Sequence, residues 1–208
     1  SFRSETKFRL SYGDHYLLKS NLLSLGMQQL YPSRLINSEY FDTDKLQMFL
    51  DSEEGVLPRK KIRVRWYHEK KERKLETKIS SVEGRFKISK NVEINSNKKY
   101  VYDDLYGKIF PSIIVSYKRE YYNFKNLRLT FDSSINYTNS RNKNFKKFID
   151  KDTVLEVKTN HLNSYDYIFQ FINCPTSRFS KYSRGIQKSS ITSKKRRNVT
   201  CYDLQQRK

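Results

Sequence analysis

Long apolar runs are missing from this chain. No stretch approaches the roughly 20 residues needed to span a bilayer, so no membrane-spanning segment is expected. Cysteine is nearly missing as well. Cys174 and Cys201 are too few for a disulfide framework and lack metal-site spacing, so a reducing, cytoplasmic setting is expected. His15, His68 and His161 are scattered and suggest no metal cluster. Six glycines and four prolines exclude collagen-like and low-complexity classes. No charged start followed by an apolar segment is visible, and no secretory leader is expected. Acids are scarce too: 22 Asp+Glu stand against 42 Lys+Arg, a formal charge of +20 in 208 residues.

What the chain has is aromatic and basic. Sixteen tyrosines and 13 phenylalanines supply core area that disordered sequences lack. At this length one domain with a sizeable core is the expectation. A protein this cationic seeks an anion, whether nucleic acid, an acidic membrane or a phosphate-rich molecule. Residues 187–208 differ from the rest: they are rich in Ser, Lys and Arg with little periodicity, and read as a basic flexible tail behind a domain of residues 1–186.

A few helices are expected. Gly13-Asp14 offers a start for Leu18, Leu22 and Leu25, with Gly26 as a stop. Asn163-Ser164 offers a cap for the stripe Tyr165, Ile168, Phe169 and Ile172. Shorter helices are expected near Asp44–Asp51 and Tyr102–Lys108.

Most of the chain reads as strands, because polar and apolar residues alternate with a period of two. Arg3, Glu5, Lys7 and Arg9 oppose Phe2, Phe8 and Leu10. Lys61, Arg63, Arg65 and Tyr67 oppose Ile62, Val64 and Trp66. Glu76 and Lys78, Arg85 and Lys87, Arg128 with Asp132, and Glu156 with Lys158 repeat the pattern; Arg119 continues it less cleanly. These polar faces carry twelve cations and four anions, unlike a mixed solvent face. Two architectures fit. Either the apolar faces make a sandwich core and the cations point to water, or a barrel closes with its charged faces inward and helices outside. The second demands a polyanion in the lumen, since unpaired like charges repel.

The order of short motifs resembles the VTC domain, the polyphosphate polymerase branch of the triphosphate tunnel metalloenzymes. The pieces are Glu5-Thr6-Lys7-Phe8, Tyr40-Phe41-Asp42-Thr43, Lys61-Ile62-Arg63-Val64-Arg65, Glu76-Thr77-Lys78 and Gly84-Arg85-Phe86. Tyr117-Lys118-Arg119, Arg128-Leu129-Thr130-Phe131-Asp132, Leu155-Glu156-Val157-Lys158 and Arg178-Phe179-Ser180-Lys181-Tyr182 complete the series. The resemblance implies an α+β fold: an antiparallel β-barrel, or tunnel, with a basic polar lumen, covered by a few amphipathic helices. It implies transfer of the ATP γ-phosphoryl group onto a growing polyphosphate chain, with Mn²⁺ or Mg²⁺. Catalytic cations by this resemblance are Arg63, Arg65, Lys78, Arg119, Arg128, Lys158 and Lys181. Substrate-binding residues are Lys7, Arg9, Lys61, Arg85, Lys87, Tyr117, Arg178 and Ser180, and the metal ligand is Glu156.

The chemistry of these residue types agrees. Phosphoryl transfer asks mainly for positioning and charge stabilisation, and Arg and Lys supply both. One carboxylate suffices for an ion that phosphate oxygens and water also coordinate. Hydrolytic relatives in the resemblance carry two glutamates and a lysine alternating on the first strand; here Arg3 stands at the first glutamate position. That departure favours polymer synthesis or polyphosphate binding over hydrolysis; the alternatives are a triphosphatase or nucleotide phosphohydrolase, or a non-catalytic polyphosphate- or RNA-binding module. Tyr40, Phe41 and Asp42 read as structural.

Overall fold

The computed structural model describes residues 4–68, 72–92, 100–142, 147–159 and 164–189. Arg3, His161, Asn163 and the basic stretch from 190 onward lie outside the described residues. The elements are β1 (Ser4–Leu10), α1 (Tyr12–Ser24), β2 (Gln28–Asp42), α2 (Gln47–Glu54), β3 (Arg59–Tyr67), β4 (Arg73–Ser81) and β5 (Gly84–Val92). After them come β6 (Val101–Asp103), β7 (Gly107–Phe124), β8 (Leu127–Asn139), β9 (Phe148–Ile149), β10 (Thr153–Thr159) and α3 (Ser164–Phe169). A further helix, α4, covers 181–189. Hydrogen bonding orders the strands β1-β10-β8-β7-β2-β3-β4-β5, with β6 on β7 and β9 on β8. Among the described residues no helix is long and apolar enough to cross a membrane.

The chain divides into two compact units. The first comprises Ser1–Ile36, Ser116–Asn136 and Ile149–Phe179; the second comprises Asn37–Val115, Tyr137–Phe148 and Ser180–Lys208.

In the first unit the alternation read from the sequence sets the faces. Phe8, Leu10, Leu129, Phe131, Leu155 and Val157 are fully buried in one core cluster. The helix α1 starts where the Ser11 hydroxyl accepts from the Asp14 amide, and ends before Gly26, whose φ of 98° suits only glycine without strain. Leu22 enters the core from α1. Ile168 and Ile172 do so from α3 and the turn after it, but Phe169 stays exposed.

The second unit is built on the β3-β4-β5 meander. Phe41, Met48, Ile62 and Ile109 form its apolar cluster. The short helix expected near Asp44–Asp51 is α2. The Asp42 carboxylate reaches its start and accepts from the Met48 and Phe49 amides at 2.9 and 3.0 Å, satisfying donors that have no partner inside a helix. The Arg141 guanidinium donates to the carbonyls of Asp42, Thr43 and Asp44, which pins the same turn.

The helix expected at Tyr102–Lys108 does not form. Asp103 Oδ1 instead accepts from the Leu105 and Tyr106 amides, a side-chain turn that competes with helix. Gly107 then takes φ 68°, and the chain returns as the hairpin Val101↔Ile109.

Helix α4 was not legible in the sequence. The Ser180 hydroxyl caps it by accepting from the Ser183 amide at 3.3 Å. Residues 187–189, read from composition as tail, continue this helix. Gly185 permits its packing: a Cβ there would lie 2.8 Å from Tyr137 Cδ1 and 3.1 Å from Ile113 Cγ1. Both neighbours are fully buried. Gly185→Ala is therefore expected to cost about 1–3 kcal/mol through overpacking, read as a lower urea midpoint at unchanged slope.

Candidate functional site

In the second unit, antiparallel pairing turns the polar faces of β3, β4 and β5 into rows. Lys61, Lys78 and Lys87 lie directly across from one another. The next row is Arg63, Glu76 and Ser89; the one beyond is Arg65, Lys74 and Asn91. On the other side stand Arg59, Ser80 and Arg85. One carboxylate, Glu76, serves this face. It holds Arg63 Nε and Nη2 at 2.8 and 2.7 Å, Lys87 Nζ at 2.6 Å and Arg65 Nε at 3.5 Å.

Arg63 and Glu76 are buried. The reading in which all these cations simply point to water therefore fails at Arg63, but it holds at Lys74 and Lys78 of β4 and at Arg85 and Lys87 of β5, which are exposed. Burial works to raise the Glu76 carboxyl, but Arg63 and Lys87 outweigh it and hold it below the usual carboxylate range. The sign of the consequence follows. A depressed native pKa stabilises the fold above the unfolded carboxylate value of about 4.3, and that stabilisation is lost as pH falls through the native value. Wild-type stability is expected to drop on acidification below about pH 4.3, and Glu76→Gln is expected to flatten that limb, checked by urea midpoints between neutral pH and the acid limit.

Three further groups belong to this face. Lys61 Nζ donates to the Ser180 hydroxyl at 3.2 Å, at the head of α4. Lys181 follows on that helix. The Tyr40 hydroxyl accepts from Arg63 Nη1 at 2.9 Å, and the Arg63 guanidinium also lies over its ring. Burial would raise the Tyr40 phenol, yet Arg63, Lys78 and Lys181 facing it draw it below its ordinary value. Behind it Tyr182 stacks on the Tyr40 ring at 5.1 Å and donates a short hydrogen bond to Asp42. Tyr40 was read as structural; the structure puts its hydroxyl among the cations. Signal for this existed in the polar alternation Ser38, Tyr40, Asp42.

The first unit carries the other predicted residues on β1, β10 and β8, with Arg119 from β7. Lys7, Glu156 and Thr130 form one row and Glu5, Lys158 and Arg128 the next. Lys7 Nζ sits 2.9 Å from Glu5 and donates to the Phe179 carbonyl at 3.3 Å. Lys158 Nζ lies 3.0 Å from Glu156 and 3.5 Å from Glu5.

Arg119 is the anchor of this cluster. Its Nε and Nη2 donate to the two oxygens of Asp132 at 2.5 and 2.6 Å, Nη2 lies 3.8 Å from Glu156, and the guanidinium rests on the Tyr117 ring. Burial works to lower its pKa, but Tyr117, Asp132 and Glu156 push it far higher, so it is permanently charged. Burial and the Glu156 charge raise Glu5, and Lys7 with Lys158 reverse the sign, leaving it below its usual value. Glu5 and Glu156 are thus close enough to repel.

Not every predicted residue joins these clusters. Arg9 is drawn to Asp152, its Nε 3.0 Å from Oδ2. Arg178 is exposed on its loop, whereas Arg128, also exposed, keeps its place in the row with Lys158 and Glu5. Tyr117 is buried beneath Arg119 rather than displayed. The sequence places Asp132 among four anions on the polar faces and at the end of the motif at 128–132, with no role of its own; in the structure it is the fully buried partner of Arg119. Among the described residues no three His, Cys, Asp or Glu side chains converge as a metal cluster.

The family model described as the VTC domain matches residues 2–190. No curated protein sequence matches the chain. Several solved structures resemble it at low identity. Protein bh2851 of Bacillus halodurans, which carries a provisional adenylate cyclase label, aligns with TM-score 0.55 and 10% identity over 86% of this chain and 95% of its own. PH1012 of Pyrococcus horikoshii aligns with TM-score 0.53 and 13% identity over 87% and 98%. HpAC1 of Hippeastrum, described as revealing a dominant triphosphatase activity, aligns with TM-score 0.53 and 16% identity over 90% and 96%. These are tunnel-fold proteins, and the likeness shows their fold in this chain.

Proposed function

As the chain belongs to the VTC domain family, we propose that it is a metal-dependent polyphosphate polymerase that transfers the γ-phosphoryl group of ATP onto a polyphosphate chain and releases ADP. The observation that carries this reading is the row Lys61, Lys78 and Lys87 beside Arg63 and Arg65, with Glu76 as its one carboxylate. Like charges directly opposite on a sheet destabilise it, so such a row makes sense as the grip for a polyanion.

In the transfer, an anionic oxygen at the end of the growing chain attacks the γ-phosphorus as the bond to the β-phosphate oxygen breaks. The nucleophile already carries its charge, so no strong general base is needed. What remains is positioning and stabilisation of charge on the equatorial oxygens. In the second unit Arg63, Arg65, Lys78 and Lys181 are the proposed source of that stabilisation; in the first unit Arg119, Arg128 and Lys158 are proposed, by the family likeness, as phosphate-binding cations. Lys61, Lys87, Arg85 and Ser180 are the proposed phosphate contacts of the second unit, and Lys7, Arg9, Tyr117 and Arg178 those of the first. Arg63 presents a planar fork that matches phosphate oxygens, and the Tyr40 hydroxyl accepts from it.

A divalent ion suits the residues present. Glu5 and Glu156 repel each other across the first unit's cluster, and a cation relieves that repulsion. Glu156, with Glu5 beside it, would hold Mn²⁺ or Mg²⁺, which when bound supplies neutralisation of phosphate charge.

Hydrolysis is the second reading. The same pair of carboxylates is what favours it, together with the triphosphatase activity described for HpAC1. Phosphorus NMR of the protein incubated with ATP and manganese separates the two. Internal-chain phosphate with matching ADP is expected, and its loss in Glu156→Gln. Orthophosphate without polymer would establish the hydrolase instead.

A further inference from the structure

The first unit's polar face contains one group that its own ion pairs leave over. Glu5, Glu156 and Asp132 all hold cations. Thr130 sits among them, in the row of Glu156 and Lys7, two residues from both Arg128 and Asp132. Its residue is 6% exposed, and Oγ1 is shut off from solvent with no hydrogen-bond partner. A hydroxyl in that state has lost its hydration and gained nothing in return.

The apolar side of the same strand gives no reason for it. Leu129 and Phe131 fill the core there, and Thr130 faces away from them. Thr6 also carries a buried hydroxyl without a partner, but it is paired with Val157 on the core side and lies outside the cluster. Valine at position 130 would keep the shape and remove the unpaired group.

The surroundings name the missing partner. Arg128 adjoins on the same strand, Lys158 lies across from Arg128, and Lys7 closes the row. The Arg119 guanidinium, held between Asp132 at 2.6 Å and Glu156 at 3.8 Å, borders the position as well. The cations at these neighbouring strand positions draw in an anionic oxygen, to which the hydroxyl can donate along a fixed direction.

We propose that Thr130 is a phosphate-binding residue whose hydroxyl donates to an oxygen of a phosphate group held by Arg128 and Lys158. This rests on the phosphate-binding reading given above. An incoming anion competes with Glu156 for Lys158 and Arg119, and the side chains that turn toward it uncover the hydroxyl. Thr130 then selects for a phosphate oxygen at one place, where the lysines supply charge without direction.

The test compares wild-type protein, Thr130→Val and Thr130→Ser in two measurements: melting without ligand, and calorimetric titration with inorganic tripolyphosphate and magnesium. Thr130→Val is expected to melt roughly 2–4 °C higher than wild type, because it removes a buried unpaired group. It is expected to bind tripolyphosphate about 5–10-fold more weakly, while Thr130→Ser stays within about twofold. Wild-type affinity in Thr130→Val overturns the proposal, and so does a lower melting temperature, which means the hydroxyl has a structural partner. If all three proteins fail to bind tripolyphosphate, the phosphate-binding reading itself falls and takes this inference with it.

Discussion

Arg119→Ala is expected to destabilise the fold by about 3–5 kcal/mol, a large part of the 5–15 kcal/mol that holds a typical domain. The reason is what it leaves behind. Asp132 is fully buried, and Arg119 donates to both of its oxygens. Without the guanidinium that carboxylate is a buried charge with its strongest partner gone, and Glu156 loses a neighbouring cation as well. Removing both members of the pair should be milder. An Arg119→Leu, Asp132→Leu double variant is expected to recover most of the lost stability, since apolar replacement of a whole buried pair is often neutral. Urea unfolding of the three proteins decides this. Equal destabilisation by the single and double variants would show that the pair is not the cause. The double variant is nevertheless expected to lose tripolyphosphate affinity, which separates the role of Arg119 in the fold from its role toward phosphate.

Arg63→Ala is expected to cut turnover by 10²–10³, on the order seen when one preorganised charge-stabilising donor is removed. Arg63 sits where the lysine row, Glu76 and the Tyr40 hydroxyl meet. Its loss removes a fork that matches phosphate geometry. It also frees Glu76 to repel the substrate, although Lys87 and Arg65 still hold that carboxylate. Arg63→Lys keeps the charge but not the fork, so it is expected to fall between wild type and alanine. Steady-state rates for the three proteins at saturating ATP check this; equal rates for lysine and wild type would reduce Arg63 to a point charge.

The cationic faces were legible in the sequence because a period of two survives wherever one side of a strand meets a core. Arg63 and Ile62, or Lys158 and Val157, separate cleanly on that rule. Strand β2 hid its contribution because an aromatic ring reads as core: the alternation Ser38, Tyr40, Asp42 is there, but Tyr40 stands beside Phe41 and both are buried. The partnership of Arg119 with Asp132 depends on how β7 and β8 bring the two together, which residue spacing alone does not set. Helix α4 was missed because Gly185 weakens helix propensity; the structure shows a close approach to Tyr137 that demands it. The helix expected near Tyr102 does not form because the Asp103 side chain captures the local amides.

The dependence of binding on phosphate chain length is the decisive measurement. If Lys61, Lys78 and Lys87 form a grip with Arg63 and Arg65, they engage several phosphates of one chain at once. Titration of the wild-type protein with orthophosphate, pyrophosphate, tripolyphosphate and longer polyphosphate at fixed salt should give affinities that climb steeply with length. Raising the salt should weaken the longest chains most. Equal affinity for orthophosphate and tripolyphosphate, or tighter binding of RNA than of polyphosphate at the same salt, would contradict it.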